Sequence, residues 1–286
     1  MKCQILLLCS FLPFFTTAQV LNCEFTEAYG NNAAHGHFAR VNGIDMYYET
    51  YGESSKQPLL LIHGNGGSVK SATCQIEYFK DDYYVVIADS RVHGKSGVGT
   101  EELTYRLMAS DYNALLDHLD LESVYIIGQS DGGIIGLLMA IEYPKKVKKV
   151  ISTAPNLRPD STALFQWNID DLNSDLKEIN EKIEKGDTSV VLKKRKILME
   201  LMKNHPHIST ADLKKIKAPV LLIFGDSDYM PLDHAQEIYE HIPNAQLFVI
   251  PGAGHRTYRL EPELFNMFCT RFLDRPFTKP SARDGF

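Results

Sequence analysis

Residues 124–136 read VYIIGQSDGGIIG, and this stretch decides the predicted fold. The apolar run 124–127 predicts a strand that is buried on both faces. A helix is predicted over 132–143, because apolar residues occur nearly all round it and Pro144 ends it. Between the strand and the helix lies a Gly-x-Ser-x-Gly pattern centred on Ser130, whose two glycines permit a tight, strained turn. Ser130 is therefore predicted to project from this turn as a nucleophile.

The same order of a short apolar run, a turn and a helix recurs along the chain. Further apolar runs occur at 59–62, 84–88, 147–154, 220–224 and 247–250. Upstream, the segments 37–41 and 44–51 flank Asn42-Gly43, a pair typical of a β-hairpin. Buried strands that alternate with helices form mostly parallel sheets. The sequence thus predicts an α/β fold with an eight-stranded, mostly parallel sheet and flanking helices.

The stretch 156–217 interrupts this alternation, because its pattern is helical throughout. Apolar residues at helical spacing predict a first helix that ends at Gly186, and a second, basic helix is predicted at about 190–202. Ser209 and Asp212 resemble the capping pair of a short third helix. Open parallel sheets place their ligands at the carboxyl ends of the strands. We therefore expect a helical cap inserted over that edge, the alternative being extra packing on the flank of the sheet.

The N-terminus has the layout of a secretory signal. Lys2 supplies a positive start, 5–15 is almost wholly apolar, and the small residues that end at Ala18 fit a cleavage site. The apolar run is too short to span a bilayer as a mature helix. A buried N-terminal helix is the alternative, and Pro13 argues against it. The sequence predicts a signal peptide at 1–18 and a single mature domain at 19–286 that is exported, either periplasmic or secreted, without stable membrane insertion.

Composition excludes several classes of protein. The chain of 286 residues is 44% hydrophobic with a net charge of −6, so it lacks the basic surplus expected for nucleic-acid binding.

Beyond the predicted signal, three cysteines remain: Cys23, Cys74 and Cys269. An odd number allows at most one internal disulfide and leaves at least one free thiol. None of the cysteines has metal-ligand spacing, and no metal or organic cofactor is predicted.

A serine nucleophile needs a base and an acid, and both are expected at strand carboxyl ends. His255 follows the last predicted strand in the run Gly-Ala-Gly-His and is the predicted base. Two aspartates, Asp226 and Asp228, follow the strand at 220–224. Asp226, next to a glycine, is placed to bond the backbone of the turn. Asp228 lies further onto the loop, and we predict that it is the acid that orients His255.

The negative charge on an attacked carbonyl oxygen requires two fixed N–H donors. One candidate is the main-chain amide of Asp131, directly after the nucleophile. The second is the main-chain amide of Asn65 in the loop His-Gly-Asn-Gly-Gly at 63–67. His63 in the same loop is predicted to be structural.

From residue 37 to residue 273 the chain resembles the α/β-hydrolase superfamily. The motifs are the loop 63–67, the run DSRVHGKS at 89–96, the Ser130 turn, Gly-Asp-Ser-Asp at 225–228, and Gly-His at 254–255. The resemblance implies that the second aspartate of the Gly-Asp-x-Asp run, Asp228, is the triad acid. The family usually has glycine where Val92 stands.

A narrower resemblance is to the valacyclovir-hydrolase, or biphenyl-hydrolase-like, branch. It is carried by Ser-Asp-Gly-Gly at 130–133, Tyr-Pro at 143–144 and Ala-Pro-Asn-Leu at 154–157, although Gln129 stands where tryptophan is frequent. Members of that branch cleave small esters, including those of amino acids, and the resemblance implies that Asp131 binds a substrate amino group. The alternative is that Asp131 suits a helix N-terminus, where a carboxylate is favoured.

Together these features predict a serine hydrolase that cleaves small-molecule carboxylic esters through an acyl-enzyme on Ser130. Two alternatives stay open. The same triad could hydrolyse a carbon–carbon bond or a lactone, or the pocket could act as a ligand-binding receptor with little turnover.

Overall fold

Eight strands form a single sheet in the order β1-β2-β4-β3-β5-β6-β7-β8 in a computed structural model that describes residues 23–279. The strands are β1 (Gly36–Val41), β2 (Ile44–Tyr51), β3 (Pro58–Ile62), β4 (Tyr84–Ala88), β5 (Val124–Gln129), β6 (Val147–Thr153), β7 (Val220–Gly225) and β8 (Ala245–Ile250). The pairs β1–β2 and β2–β4 are antiparallel, and the other five pairs are parallel. The predicted fold class is confirmed. The predicted signal peptide at 1–18 lies outside the described residues.

The helices lie between the strands as the alternation of patterns predicts. They are α1 (Thr73–Phe79), α2 (Tyr105–His118), α3 (Asp131–Glu142), α4 (Gln166–Glu184), α5 (Val190–Asn204), α6 (Thr210–Leu213), α7 (Leu232–His241), α8 (Thr257–Leu260) and α9 (Pro262–Asp274). Over residues 23–279, no helix is long and apolar enough to cross a membrane.

Two apolar layers cover the two faces of the sheet. Side chains alternate between faces along a strand, so in β3 Leu60 and Ile62 belong to one layer while Leu59 and Leu61 belong to the other. The first layer is completed by α2, α3 and α7, and the second by α1 and α9. Both faces of the parallel strands are thus buried, which explains their continuous apolar runs.

Helices α4, α5 and α6 follow β6 and precede β7, within the stretch expected to form a cap. Helices α4 and α5 are packed neighbours, and each buries two apolar side chains: Leu176 and Ile179 in α4, and Leu198 and Leu201 in α5. The side chain of Ser209 accepts a hydrogen bond from the Asp212 amide at the start of α6, so the predicted capping pair is confirmed.

A disulfide joins Cys23 to Cys74 and ties the segment before β1 to α1, while Cys269 is free and buried. The two bonded cysteines are separated by 51 positions. Closing a loop of that length removes conformational entropy from the unfolded chain, worth up to about 4 kcal/mol. We expect the Cys23→Ser/Cys74→Ser variant to unfold at a lower urea concentration than the wild type.

A reductant provides the control for this prediction. Dithiothreitol should lower the urea midpoint of the wild type and of Cys269→Ala, and leave that of the double serine variant unchanged. A wild-type midpoint that ignores the reductant would contradict a stabilising disulfide.

Candidate active site

Ser130 occupies the sharp turn between β5 and α3. Its backbone has φ 55° and ψ −118°, a conformation that is costly for a residue with a side chain. Its amide donates a hydrogen bond of 2.7 Å to the Thr153 carbonyl at the end of β6, which secures the turn. A Cβ on Gly132 would collide with the Ile62 carbonyl oxygen, and one on Gly128 with the Gly132 carbonyl oxygen. Both flanking glycines are therefore required by close backbone approach.

The structure brings Ser130, His255 and Asp228 together in one hydrogen-bonded chain. Nε2 of His255 lies 3.0 Å from Ser130 Oγ, and Nδ1 lies 2.7 Å from Asp228 Oδ1. A carboxylate only accepts hydrogen bonds, so Nδ1 carries the proton and Nε2 accepts from the serine hydroxyl. Asp228 is 4% exposed and also accepts from the Tyr229 amide at 2.6 Å. This arrangement can remove a proton from Ser130 and stabilise the resulting imidazolium.

Asp226 lies on the adjoining turn. Both of its carboxylate oxygens are 2.9 Å from the Gly252 amide, and the side chain is exposed. It therefore joins the loop after β7 to the loop after β8, while Asp228 contacts His255.

Two buried histidines, His63 and His93, hold the loop 64–67 in place. His63 Nε2 accepts from the Ser90 amide at 3.0 Å, and His93 Nε2 accepts from the Gly66 amide at 3.1 Å. Burial lowers the pKa of His63 and lowers that of His93 to about 3, so both rings are neutral. His63 is structural, as predicted, whereas the matching role of His93 was not predicted; the signal for His93 was its place in the motif at 89–96.

The loop and the start of α3 present main-chain amides to the cavity that contains Ser130. Asn65 and Asp131 both line this cavity, and neither amide donates to an acceptor within residues 23–279. The amide of Asp131 is free because the first N–H groups of a helix have no intrahelical partner. The two predicted donors are thus available to a substrate oxygen.

The side chains of these two residues form a contact that the sequence did not reveal. Asn65 Nδ2 lies 3.0 Å from Asp131 Oδ2 and 3.3 Å from the Leu198 carbonyl of α5. The Tyr105 hydroxyl donates to Asp131 Oδ1 at 2.9 Å. Asp131 is 3% exposed, and burial raises its pKa to about 6 although the hydrogen bonds from Asn65 and Tyr105 oppose that rise.

This carboxyl group should make stability depend on pH. The pKa of Asp131 is about 6 in the folded protein, against an ordinary value of 3.8. The stability that this carboxyl group contributes is therefore fully present below pH 3.8 and is lost as the pH rises through 6. We expect the free energy of unfolding of the wild type to fall by about 2 kcal/mol relative to Asp131→Asn between pH 4 and pH 7. Urea unfolding at the two pH values measures the difference, and a constant difference would contradict the shift.

A cavity of about 510 Å³ opens at Ser130 between the sheet and the cap helices. Its walls include Asn168 and Asp171 of α4, Met199 and Met202 of α5, and Met230. The helices α4 and α5 therefore lie over the carboxyl ends of β5, β7 and β8.

Tyr229 shields the histidine from one side. Its ring stacks on His255 with centroids 4.5 Å apart and planes at 14°, and Trp167 of α4 meets Tyr229 edge-on at 5.6 Å. The stacking joins the loop after β7 to the loop after β8, and the edge-on contact joins the first of these loops to α4. Over residues 23–279, His, Cys, Asp and Glu side chains form no group of three or more able to hold a metal ion.

This sheet order, with a serine on the strand–helix turn and an aspartate and a histidine on later loops, defines the class of α/β hydrolases. The family model for the alpha/beta hydrolase fold matches residues 57–192. The chain belongs to the α/β-hydrolase superfamily and is a hydrolytic enzyme. The predicted superfamily is thereby confirmed.

Two curated relatives and one solved structure are similar over most of the chain. The 3-oxoadipate enol-lactonase 2 of Acinetobacter baylyi is 27% identical, covering 78% of this chain and 91% of its own. Human serine hydrolase BPHL is 23% identical, covering 82% of this chain and 84% of its own. The crystal structure of MGS-M2, an alpha/beta hydrolase enzyme from a deep-sea metagenome library, aligns with a TM-score of 0.75 at 22% identity. That alignment covers 86% of this chain and 100% of MGS-M2, and supports the fold alone.

Proposed function

We propose that this protein hydrolyses small carboxylic esters through an acyl-enzyme on Ser130. The observation that carries the proposal is the hydrogen-bonded chain from Ser130 through His255 to Asp228, with distances of 3.0 and 2.7 Å. The chain opens into a cavity of about 510 Å³, a size suited to a small molecule.

In the proposed reaction His255 Nε2 accepts the proton of Ser130 while Oγ attacks the ester carbonyl. The main-chain amides of Asn65 and Asp131 donate to the oxygen that becomes negative. His255 then donates its proton to the departing alcohol, which leaves an acyl group on Ser130. Water attacks that acyl group with His255 again as base. Asp228 keeps Nδ1 protonated and stabilises the imidazolium in both halves of the reaction.

The cap favours a small, polar substrate over a long-chain lipid. The cavity face of α4 includes Asn168, Asp171 and Asp175 beside a single apolar residue, Leu172, so a long apolar chain laid along α4 would meet polar groups. A lactone or a carbon–carbon substrate is the second candidate, supported by the similarity to a relative named as an enol-lactonase.

A panel of substrates tests the reaction type. Hydrolysis of para-nitrophenyl acetate, butyrate, octanoate and palmitate should give the highest kcat/KM for the acetyl or butyryl ester. An enzyme that hydrolyses none of these esters but opens an enol-lactone or cleaves a β-diketone would replace the ester proposal with the second candidate.

Recognition of a substrate amine by Asp131 stays a prediction. The resemblance of Ser-Asp-Gly-Gly at 130–133 to the valacyclovir-hydrolase branch implies it, while the contacts of both Asp131 oxygens with Asn65 and Tyr105 favour a role in positioning the loop at 64–67. Asp131→Ala should lower kcat/KM for an α-amino ester such as valine benzyl ester more than for benzyl 3-methylbutanoate, its counterpart without the amine. Equal losses on the two esters would remove the amine role and leave the positioning role.

We also propose that the protein is exported. The layout of residues 1–18 supports this, and so does the disulfide between Cys23 and Cys74, since disulfides persist in oxidising compartments. Cell fractionation with N-terminal sequencing of the recovered protein tests it. A chain that retains Met1–Ala18 and stays with the cytoplasmic fraction would contradict export.

A further inference from the structure

Two arginines follow His255 and line the same cavity as Ser130. Arg256 is the next residue in the chain, and Arg259 is the third residue of the short helix α8. Arg256 is exposed and Arg259 is half-buried, so both guanidinium groups can meet a molecule that enters from solvent. Both residues therefore belong to the wall of the cavity into which Ser130 and His255 open.

Neither arginine forms an ion pair within residues 23–279. Five other arginines do, with the pairs Arg40–Asp45, Arg91–Asp111, Arg106–Glu142, Arg158–Glu237 and Arg195–Asp175. Two like charges in one cavity repel each other, and an anion placed between them removes that cost. Arg256 and Arg259 are therefore positive charges facing the cavity without an internal counter-charge.

Within residues 23–279, the acidic side chains that line the cavity form no ion pair with Arg256 or Arg259. Asp175 of α4 pairs with Arg195 at 3.1 Å, and Asp131 accepts from Asn65 and Tyr105. Asp171 lines the wall formed by α4 and forms no ion pair within the described residues. Within the described residues, the cavity thus has two arginines without an ion pair after His255, and one such carboxyl group, Asp171, on the wall formed by α4.

We propose that Arg256 and Arg259 bind a free carboxylate on the substrate, so that the preferred substrates are small esters carrying a second, unesterified acid group. A guanidinium presents a rigid fork of donors that matches the two oxygens of a carboxylate, which makes arginine well suited to such recognition. This inference rests on the proposed ester hydrolysis and adds the class of ester.

Matched pairs of substrates test the inference, one pair for each side of the ester bond. Monomethyl adipate and dimethyl adipate differ by a free carboxylate on the acyl side. Para-acetoxybenzoate and its methyl ester differ by one on the leaving-group side. For at least one pair the wild-type kcat/KM for the acid should exceed that for the neutral ester by about tenfold or more.

Three variants distinguish the effect of Arg256 and Arg259 on the acid-to-neutral ratio from the effect of the protein's overall charge. In Arg256→Gln/Arg259→Gln the acid-to-neutral ratio should fall by about ten- to a hundredfold, and Arg256→Lys/Arg259→Lys should recover part of it. Arg271→Gln removes an exposed charge on α9, outside the active-site cavity, and should leave the ratio unchanged. Circular dichroism checks that each variant is folded.

The outcomes distinguish this inference from the proposed function. An acid-to-neutral ratio near one in the wild type, with neutral esters still hydrolysed, would overturn the inference alone. A ratio that falls equally in Arg271→Gln would do the same. A wild type that hydrolyses neither member of either pair would overturn the ester proposal, and the inference with it.

Discussion

Replacing Ser130 with alanine is expected to lower kcat for ester hydrolysis by about 10⁴- to 10⁶-fold. The variant keeps the Cβ and the main chain of the turn but loses the oxygen that lies 3.0 Å from His255 Nε2. Residual activity would come from the cavity and the amides of Asn65 and Asp131, which can still bind an ester and its developing charge. KM should change far less than kcat, because the hydroxyl acts on the bond that breaks.

Covalent labelling gives a second readout that is independent of the substrate. A fluorophosphonate should add once to the wild type, as measured by intact-protein mass, and not to Ser130→Ala. Ser161→Ala, an exposed serine away from the cavity, should label like the wild type. A wild type that neither labels nor hydrolyses any ester would favour the ligand-binding receptor over the enzyme proposed above.

Replacing Asp228 with asparagine is expected to lower kcat by about 10⁴-fold. An asparagine can turn its amide N–H toward His255 Nδ1, and the imidazole would then carry its proton on Nε2. In that tautomer the ring cannot accept the proton of Ser130. Asp228 is 4% exposed, and its Oδ1 lies 2.7 Å from His255 Nδ1. Because the position is buried, water does not replace the carboxylate as the acceptor for Nδ1.

Asp226→Asn is the matched control for this prediction. Asp226 accepts from the Gly252 amide and is exposed, so an asparagine at 226 can keep an acceptor there through its carbonyl oxygen. We expect kcat to stay within about threefold of the wild type, because the residue acts on the turn. A large loss in Asp226→Asn with activity retained in Asp228→Asn would reverse the assignment of the acid.

Much of the fold follows from the sequence because its determinants are local. Apolar runs alternate with helical patterns every few tens of residues, and the pair Asn42-Gly43 lies at the antiparallel β1–β2 hairpin. The glycines around Ser130 are required by a turn of five residues and are visible in the motif itself. The sequence also predicted Asp228 rather than Asp226 as the acid, since chain order, strand ends and the place of each aspartate on its loop are read directly from the pattern.

Other features depend on contacts between distant residues, and only the tertiary structure decided them. The contact of Asn65 with Asp131 joins positions 66 apart, and that of Asn65 with Leu198 joins positions 133 apart. The stacking of Tyr229 on His255 and the absence of ion pairs for Arg256 and Arg259 within residues 23–279 likewise depend on how loops and cap pack.

At Ser130, the local sequence and the tertiary packing determine different features of the site. The sequence by itself determined a serine on a strand–helix turn, because glycine spacing and strand pattern constrain the backbone over a few residues. The tertiary structure decided which side chains secure the loop and helix start near Ser130, and which charged residues line its cavity. Packing brings those groups together, and packing is set by the burial of both faces of the sheet rather than by any one motif.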